Sequence, residues 1–397
     1  MDERFDAVVI GGGPGGATAA LLLARAGWSV ALVERKAFPR RKVCGEYLSA
    51  TNLPLLKRLA LADEFLDSAG PAIRRVALFT GDRTVTAPLP RLAGSMGEWG
   101  RALGREHLDA MLVDRARSAG AIVLQPSAVR RIDSISGDYV CSIDGVQERL
   151  LSSVVIAAHG YWEPGPLPTQ PIATPAMPSD LLGFKAHFAD TDLPSDLMPL
   201  LAFPGGYGGM VHTDGGRVSL SCCVRRDRLS GLRVVQSETH HSEAAGEAVM
   251  NYILESCRGV RDALDGARRD GPWLAAGPLR PGIRVRPAGG LFAVGNAAGE
   301  AHPVVAEGIS MAMQAAWLLA HRLIDRGPNF RRWDVVGREY ARAWRRAFGP
   351  RLRAASIYAH WAMRPAAVAA ALPLLRAFPA LLGLGARLSG KASRIVT

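Results

Sequence analysis

The chain has 397 residues, 48% of them hydrophobic, and 48 Lys and Arg against 36 Asp and Glu give it a net charge of +12. That composition excludes a disordered or collagen-like chain and predicts a large buried core; at ~100–200 residues per domain the length suggests two or three structural units. Residues 322–397 hold the whole net charge, with fourteen Arg and Lys391 set against only Asp325, Asp334 and Glu339.

In chain order, the start MDERFDAVVI lacks a basic, apolar, cleavable leader, and the five cysteines fall in no paired spacing. Together these predict a cytoplasmic chain without a disulfide framework, and no metal site is implied. Residues 6–10 read as a buried strand, Gly11-Gly12-Gly13-Pro14-Gly15-Gly16 as a turn, ATAALLLARAG as an apolar helix and residues 29–33 as a second strand ending at Glu34. Gly11 permits the tight turn, Gly13 lets backbone N–H groups approach a pyrophosphate, and Gly16 lets helix and strand pack closely. Glu34, ~20 residues on, is placed to accept hydrogen bonds from a ribose diol, with Arg35 beside it.

Next comes RRKVCGEYLS at 40–49, which sets a thiol, a carboxylate and a phenol close together. Cys44 and Glu46 are the candidate catalytic residues there; the plainer alternative makes Lys42 and Glu46 a surface pair and Cys44 a small apolar filler. RRVALFTGDRTVTAPL reads as a hairpin around Gly81-Asp82. Arg105 opens a helix over REHLDAML, and GAIVLQPSAVRRI gives a strand pair that includes Val129. Residues 161–279 alternate strand-like runs with Pro and Gly turns; adjacent Cys222 and Cys223 read as strand residues, and His187, His212, Tyr207 and Trp99 as structural. A strand over 289–295 leads into the small-residue turn GNAAG, and HPVVAEGI opens an apolar helix at Gly308 extending towards Leu323. The apolar run at 366–385 is interrupted by Pro373, Arg376 and Pro379, which disfavours a membrane span and fits a basic amphipathic cap. That cap is read either as a docking face for anionic lipid or an acidic carrier protein, or as a solvated lid. No nucleic-acid-binding module is recognisable.

GNAAG and P-V-V-A-E-G-I resemble the late GDAAG and P-x-x-G-E-G-I motifs of the flavoprotein superfamily that includes p-hydroxybenzoate-hydroxylase-like aromatic monooxygenases and geranylgeranyl reductases. The resemblance implies FAD as cofactor, with Gly11, Gly13, Pro14, Gly15 and Gly16 at its pyrophosphate, Glu34 at its ribose, Arg35 among the residues that bind it, Arg105 against it and Val129 at the adenine. Gly295, Asn296 and Pro303 would follow the ribityl chain, and Gly308 and Ile309 would set a helix N-terminus at the ring, where its dipole favours negative charge. Asn296 stands where the family has Asp, keeping a carbonyl acceptor without the charge. His159 in VVIAAHG replaces the acid of the family's Asp-Gly motif, so the electron donor is left open between NAD(P)H and a separate reductase. The K-V-C-G segment resembles that of the geranylgeranyl reductases, whereas YWEPG offers only Trp162 of the Trp-x-Trp-x-Ile-Pro element of flavin-dependent halogenases.

The expected architecture is α/β: a discontinuous Rossmann-like FAD-binding domain (1–70, 101–160, 280–325), an inserted mixed β-sheet substrate domain (71–100, 161–279) and a C-terminal helical cap (326–397). The first expectation for function is a monooxygenase that hydroxylates an aromatic or polyketide-like hydrophobic substrate, free or carrier-bound, with molecular oxygen. The alternatives are a geranylgeranyl-reductase-like reduction of lipid C=C bonds and a flavin- or lipid-binding protein without turnover. Peripheral membrane contact is expected, if anywhere, through the basic C-terminal region.

Overall fold

The computed structural model describes residues 3–89, 99–145, 149–232, 241–287 and 289–387. Residues 90–98 of the expected substrate unit, and residues 388–397 of the expected cap with Lys391, lie outside them.

Five parallel strands form the central sheet of the nucleotide half, in the order Leu291–Ala293, Val154–Ala157, Ala7–Ile10, Val30–Val33, Ile122–Leu124. Its three middle strands are wholly buried runs of Ala, Val, Ile and Leu, as a parallel sheet covered on both faces requires. Helices α1 (Pro14–Arg25), α2 (Arg105–Ser118) and α3 (Gly308–Arg326) belong to the core on one face. A four-stranded sheet that includes Val129–Ile135 and Asp138–Ile143 covers the other through Val8, Ile10, Val33, Cys141 and Leu150. The strand, glycine turn, helix and second strand therefore stand where the sequence places them, and α3 starts at Gly308 as its motif predicts.

The second large sheet has seven strands in the order Arg268–Leu279, Leu181–Ala189, Val218–Arg225, Gly206–His212, Leu197–Phe203, Arg75–Thr80, Arg83–Pro88. It is mixed, because Leu197–Phe203 runs parallel to Arg75–Thr80 while the other pairs are antiparallel. The hairpin forms at Gly81-Asp82, with Thr80 opposite Arg83 and Gly81 at φ +52°. Cys222 and Cys223 are ordinary residues of Val218–Arg225 that point to opposite faces, one into the core beyond the sheet and the other towards the nucleotide half.

The C-terminal region is more than a lid. Its first helix, α4 (Trp333–Ala362), buries Trp333, Tyr340, Trp344 and Phe348 in the same core as α3, so the basic residues ride on a helix the fold requires. Beyond it, α5 (Pro365–Ala377) and α6 (Ala380–Ala386) meet at a bend of 112°. No single helix among the described residues is long and apolar enough to cross a membrane.

Candidate flavin and substrate site

The glycine turn is shaped by close approach. Gly11 has φ +109°, and a Cβ there would stand 2.6 Å from the Ala158 carbonyl oxygen; a Cβ on Gly16 would fall 1.9 Å from the Gly11 oxygen. Gly13 is the N-cap of α1 and brings no capping side chain, so the first N–H groups of the helix are left for a ligand. The Gly12 N–H donates to Glu34 Oε2 (2.8 Å) and the Lys36 N–H to Oε1 (2.9 Å), which fixes the buried carboxylate at the end of the second strand. Each of its oxygens keeps a further lone pair for a hydroxyl.

Three cavities run together from this turn. The first, about 600 Å³, is lined by Gly11, Gly13, Glu34, Arg35, Val129 and His159. Lys36, Arg40, Arg41, Lys42 and Arg130 also line it, giving a basic wall suited to a pyrophosphate. The second, about 160 Å³, shares Gly13, Lys42, Val43, Ala158, Gly160 and Trp162 with the first. It gathers Pro14, Gly15, Cys44, Glu46, Arg105, Gly295, Asn296, Pro303, Gly308 and Ile309. The third, about 80 Å³, continues through Cys44 and Tyr47 to Met198, Leu200, Tyr207, Val211 and Cys223. Every expected site residue except Gly16, which packs beneath the turn, lines the first two cavities. An elongated dinucleotide fits them: a cradle that side chains would fill, an unspent helix N-terminus, a buried acceptor at one end and a second helix N-terminus at the other.

Several side chains are held differently from the expectation. Arg35 pairs with Glu163 at the cavity mouth. Arg105 is buried and grips Asp109 through Nε (2.7 Å) and Nη2 (2.6 Å), with Nη2 3.6 Å from where a Gly13 Cβ would lie, so it lines the second cavity while paired to Asp109. Asn296 donates its amide N–H to Glu300 Oε1 (2.8 Å), leaving its amide oxygen as the acceptor, and Trp162 Nε1 donates to the same carboxylate oxygen (3.0 Å).

Glu46 corrects both readings of its segment. It neither meets Lys42 at the surface nor carries a free carboxylate, since it is fully buried against Lys185 Nζ, His187 Nε2 (2.8 Å) and the Arg105 backbone N–H (3.2 Å). Burial alone would raise its pKa, but the Lys185 charge and the His187 hydrogen bond outweigh burial and hold it at about 2. An acid so firmly ionised is a poor proton donor, so the catalytic role expected for Glu46 becomes a positioning one. Lys185 and His187 were missed as a pair, although two polar residues at i and i+2 in the apolar strand LLGFKAHFA point to one face and signal a buried charge site. Lys42 was missed as a ligand candidate. It stands at the junction of the first two cavities over the Trp162 ring, and burial with the nearby Arg105 and Arg40 lowers its pKa to about 8.

Tyr207, read from the sequence as structural, is placed at a cavity wall. Its hydroxyl lies 3.1 Å from Nδ1 of His302, whose ring meets that of His360 at 5.9 Å. His302 and His360 in turn line an open groove. His302 is lowered to about 4 by burial and then by His360, and His159, which contacts Thr169, is lowered to about 4 by burial. A histidine kept neutral in the fold but protonated when unfolded makes stability fall as pH drops from about 6.5 to 4, by roughly 2 kcal/mol each after discounting partial exposure. His302→Gln is therefore expected to lose less urea resistance than the native protein between pH 7 and 5; equal losses would show that His302 is not held neutral.

Comparison with known proteins agrees with this geometry. Residues 4–170 match the FAD binding domain family. Digeranylgeranylglycerophospholipid reductase 2 of Methanothermobacter thermautotrophicus is 28% identical over 370 residues, covering 88% of this chain and 85% of that protein. Menaquinone reductase of Mycobacterium tuberculosis is 34% identical over 124 residues, covering 31% of this chain and 29% of that protein, so the match spans less than a third of its length. Among solved structures, the myxobacterial chondrochloren halogenase superposes with a TM-score of 0.75 at 21% identity, covering 98% of this chain and 91% of the other. A geranylgeranyl bacteriochlorophyll reductase-like protein from Thermoplasma acidophilum gives 0.72 at 16% identity, covering 100% and 94%. At these identities the structural likeness is one of fold.

Proposed function

We propose that the chain is an FAD-dependent oxidoreductase that saturates a carbon–carbon double bond in a long apolar lipid of isoprenoid type; the match of residues 4–170 to the FAD binding domain family supports the cofactor. The observation that carries the reading is the wall of the third cavity, where proton donors stand among apolar side chains. Burial raises the Tyr207 and Cys223 hydrogens well out of the neutral range, the thiol to about 12, and Met198, Leu200 and Val211 supply the apolar surface. Digeranylgeranylglycerophospholipid reductase 2, one of several relatives that align with most of this chain, is named as a reductase of a geranylgeranyl lipid, and another is named as a menaquinone reductase; both names denote reductases of isoprenoid lipids, which supports the same reading.

Saturating such a bond consumes a hydride and a proton. Hydride transfer is the chemistry FAD would supply when bound and reduced, its two electrons coming from NAD(P)H or a separate reductase. The chain's own residues do the remainder. Gly13, Glu34 and Lys42 hold the dinucleotide, while Met198 and Leu200 keep water from the double bond. Tyr207 is the proton donor; its hydroxyl exchanges a proton with His302 Nδ1, in a direction set by the tautomer, and His302 and His360 connect it to the open groove from which the proton is restored. Cys44, which lines both the second and third cavities, is the alternative donor.

The test is accurate-mass comparison of lipids and small molecules from cells making the native protein or a variant that cannot hold FAD. Products heavier by hydrogen pairs support the reductase. A product heavier by one oxygen would overturn it and establish the monooxygenase. With a substrate in hand, Tyr207→Phe is expected to slow turnover by ~10²–10⁴-fold while retaining FAD; the same loss in Cys44→Ala, with Tyr207→Phe near native, would move the donor to the thiol.

A further inference from the structure

We propose that α5 and α6 dock the protein in the plane of an anionic lipid bilayer, beside the wall of the apolar cavity next to the flavin site. Ten large apolar side chains are exposed among the described residues, and four of them, Leu374, Phe378, Leu381 and Leu384, fall within eleven positions of the chain at the α5–α6 bend. Their concentration there is what a scattered surface would not give.

Helix α6 is apolar on two sides. Leu382 and Ala386, one turn apart, pack on the cluster of Tyr47, Met198, Val211 and Ala306, all of which line the third cavity. Leu381 and Leu384, three apart, point away from that cluster and are exposed. A Cβ on Gly383 would stand only 3.0 Å from the Pro88 oxygen, so the helix is seated closely on the hairpin and its outer face is fixed. The inner side packs on residues that wall the cavity; the outer side has apolar surface left exposed.

The charge names the occupant. No Asp or Glu follows Glu339, whereas ten Lys and Arg do. Arg364, Arg376 and Arg387 are exposed along α5 and α6 and make no ion pair among the described residues. Apolar side chains flanked by unpaired guanidinium groups match a headgroup region with acyl chains beneath it. A second copy of the same face would meet like charge. Neither helix, of thirteen and seven residues, spans a bilayer alone, and although the two together have the length of a broken span, their 112° bend and the exposed Arg364, Arg376 and Arg387 at their ends and between them favour a pair lying along the surface.

Vesicle flotation of the FAD-loaded protein tests this without any turnover, so its failure would leave the proposed reaction untouched. The vesicles are phosphatidylcholine alone and phosphatidylcholine with roughly one quarter phosphatidylglycerol, at ~0.15 M salt. The native protein is expected to float with the anionic vesicles in preference to the neutral ones. Phe378→Gln/Leu381→Gln/Leu384→Gln is expected to lower that partition about tenfold or more. Arg364→Gln/Arg376→Gln/Arg387→Gln is expected to remove the preference for anionic lipid. Both variants change exposed side chains, and retained flavin with an unchanged melting temperature shows that they fold. Flotation unchanged in the apolar variant would overturn the proposal, as would no flotation of the native protein. So would an arginine-dependent complex with a purified acidic carrier protein in place of vesicle binding, which would assign the face to a protein partner.

Discussion

Gly13→Glu is expected to give a folded protein that holds no FAD. The position is suited to the test because a Cβ there meets nothing nearer than Arg105 Nη2 at 3.6 Å, so the side chain can be built without moving the backbone. A carboxylate would then project where the first two cavities join, beside N–H groups and cations that otherwise have a pyrophosphate to bind. It would fill the space the phosphates need and repel their charge. Gly16→Ala makes the contrast, since its Cβ would fall 1.9 Å from the Gly11 oxygen, a backbone collision that distorts the turn itself. Gel filtration with flavin absorbance and circular dichroism separates the two: flavin lost with native ellipticity for Gly13→Glu, and flavin lost with a lower melting temperature for Gly16→Ala. Stoichiometric flavin in Gly13→Glu would refute the assignment of the cavities to FAD.

Features set by local backbone geometry were legible in the sequence. A turn that must pass under Ala158 and beside its own helix admits only glycine at Gly11 and Gly16, so the pattern appears as consecutive letters and needs no knowledge of the rest of the fold. The same holds for the Gly81 hairpin and for the helix that opens at Gly308. The features that stayed hidden depend on partners far apart in the chain. Glu46 lies 139 residues from Lys185, and Tyr207 lies 95 from His302; no spacing rule joins them, so a carboxylate near the flavin motif looked catalytic when it was already engaged. The C-terminal region is helical as its sequence indicates, and only its share in the core stayed hidden. Its charge is conspicuous in composition, while the stripe of Trp333, Tyr340, Trp344 and Phe348 that makes α4 part of the core shows only once the arginines between them are set on the outer face of a helix.

The second large effect arises from the buried Glu46–Lys185 pair. Glu46 joins the segment beside the flavin cavity to the start of α2, through the Arg105 N–H, and to the seven-stranded sheet, through Lys185 and His187. Glu46→Gln keeps the size and the acceptor oxygen but leaves Lys185 fully buried without an anion, for which about 3–5 kcal/mol of stability is expected to be lost. Lys185→Met added to Glu46→Gln removes the orphaned charge and is expected to recover most of that loss, because a buried ion pair is worth little more than well-packed apolar side chains. The native pair also has a pH signature. The folded pKa lies near 2, against an ordinary value of 4.5, so the contribution is complete above pH 4.5 and disappears as pH falls towards 2, amounting to about 3 kcal/mol. Urea midpoints at pH 6 and pH 3 should therefore fall more steeply for the native protein than for Glu46→Gln. Flavin retention gives a second readout: it should be impaired in Glu46→Gln and restored with stability in the double variant, as a positioning residue requires. A double variant that remained as unstable as Glu46→Gln would show that the carboxylate holds the segment through His187 and Arg105 rather than by neutralising Lys185.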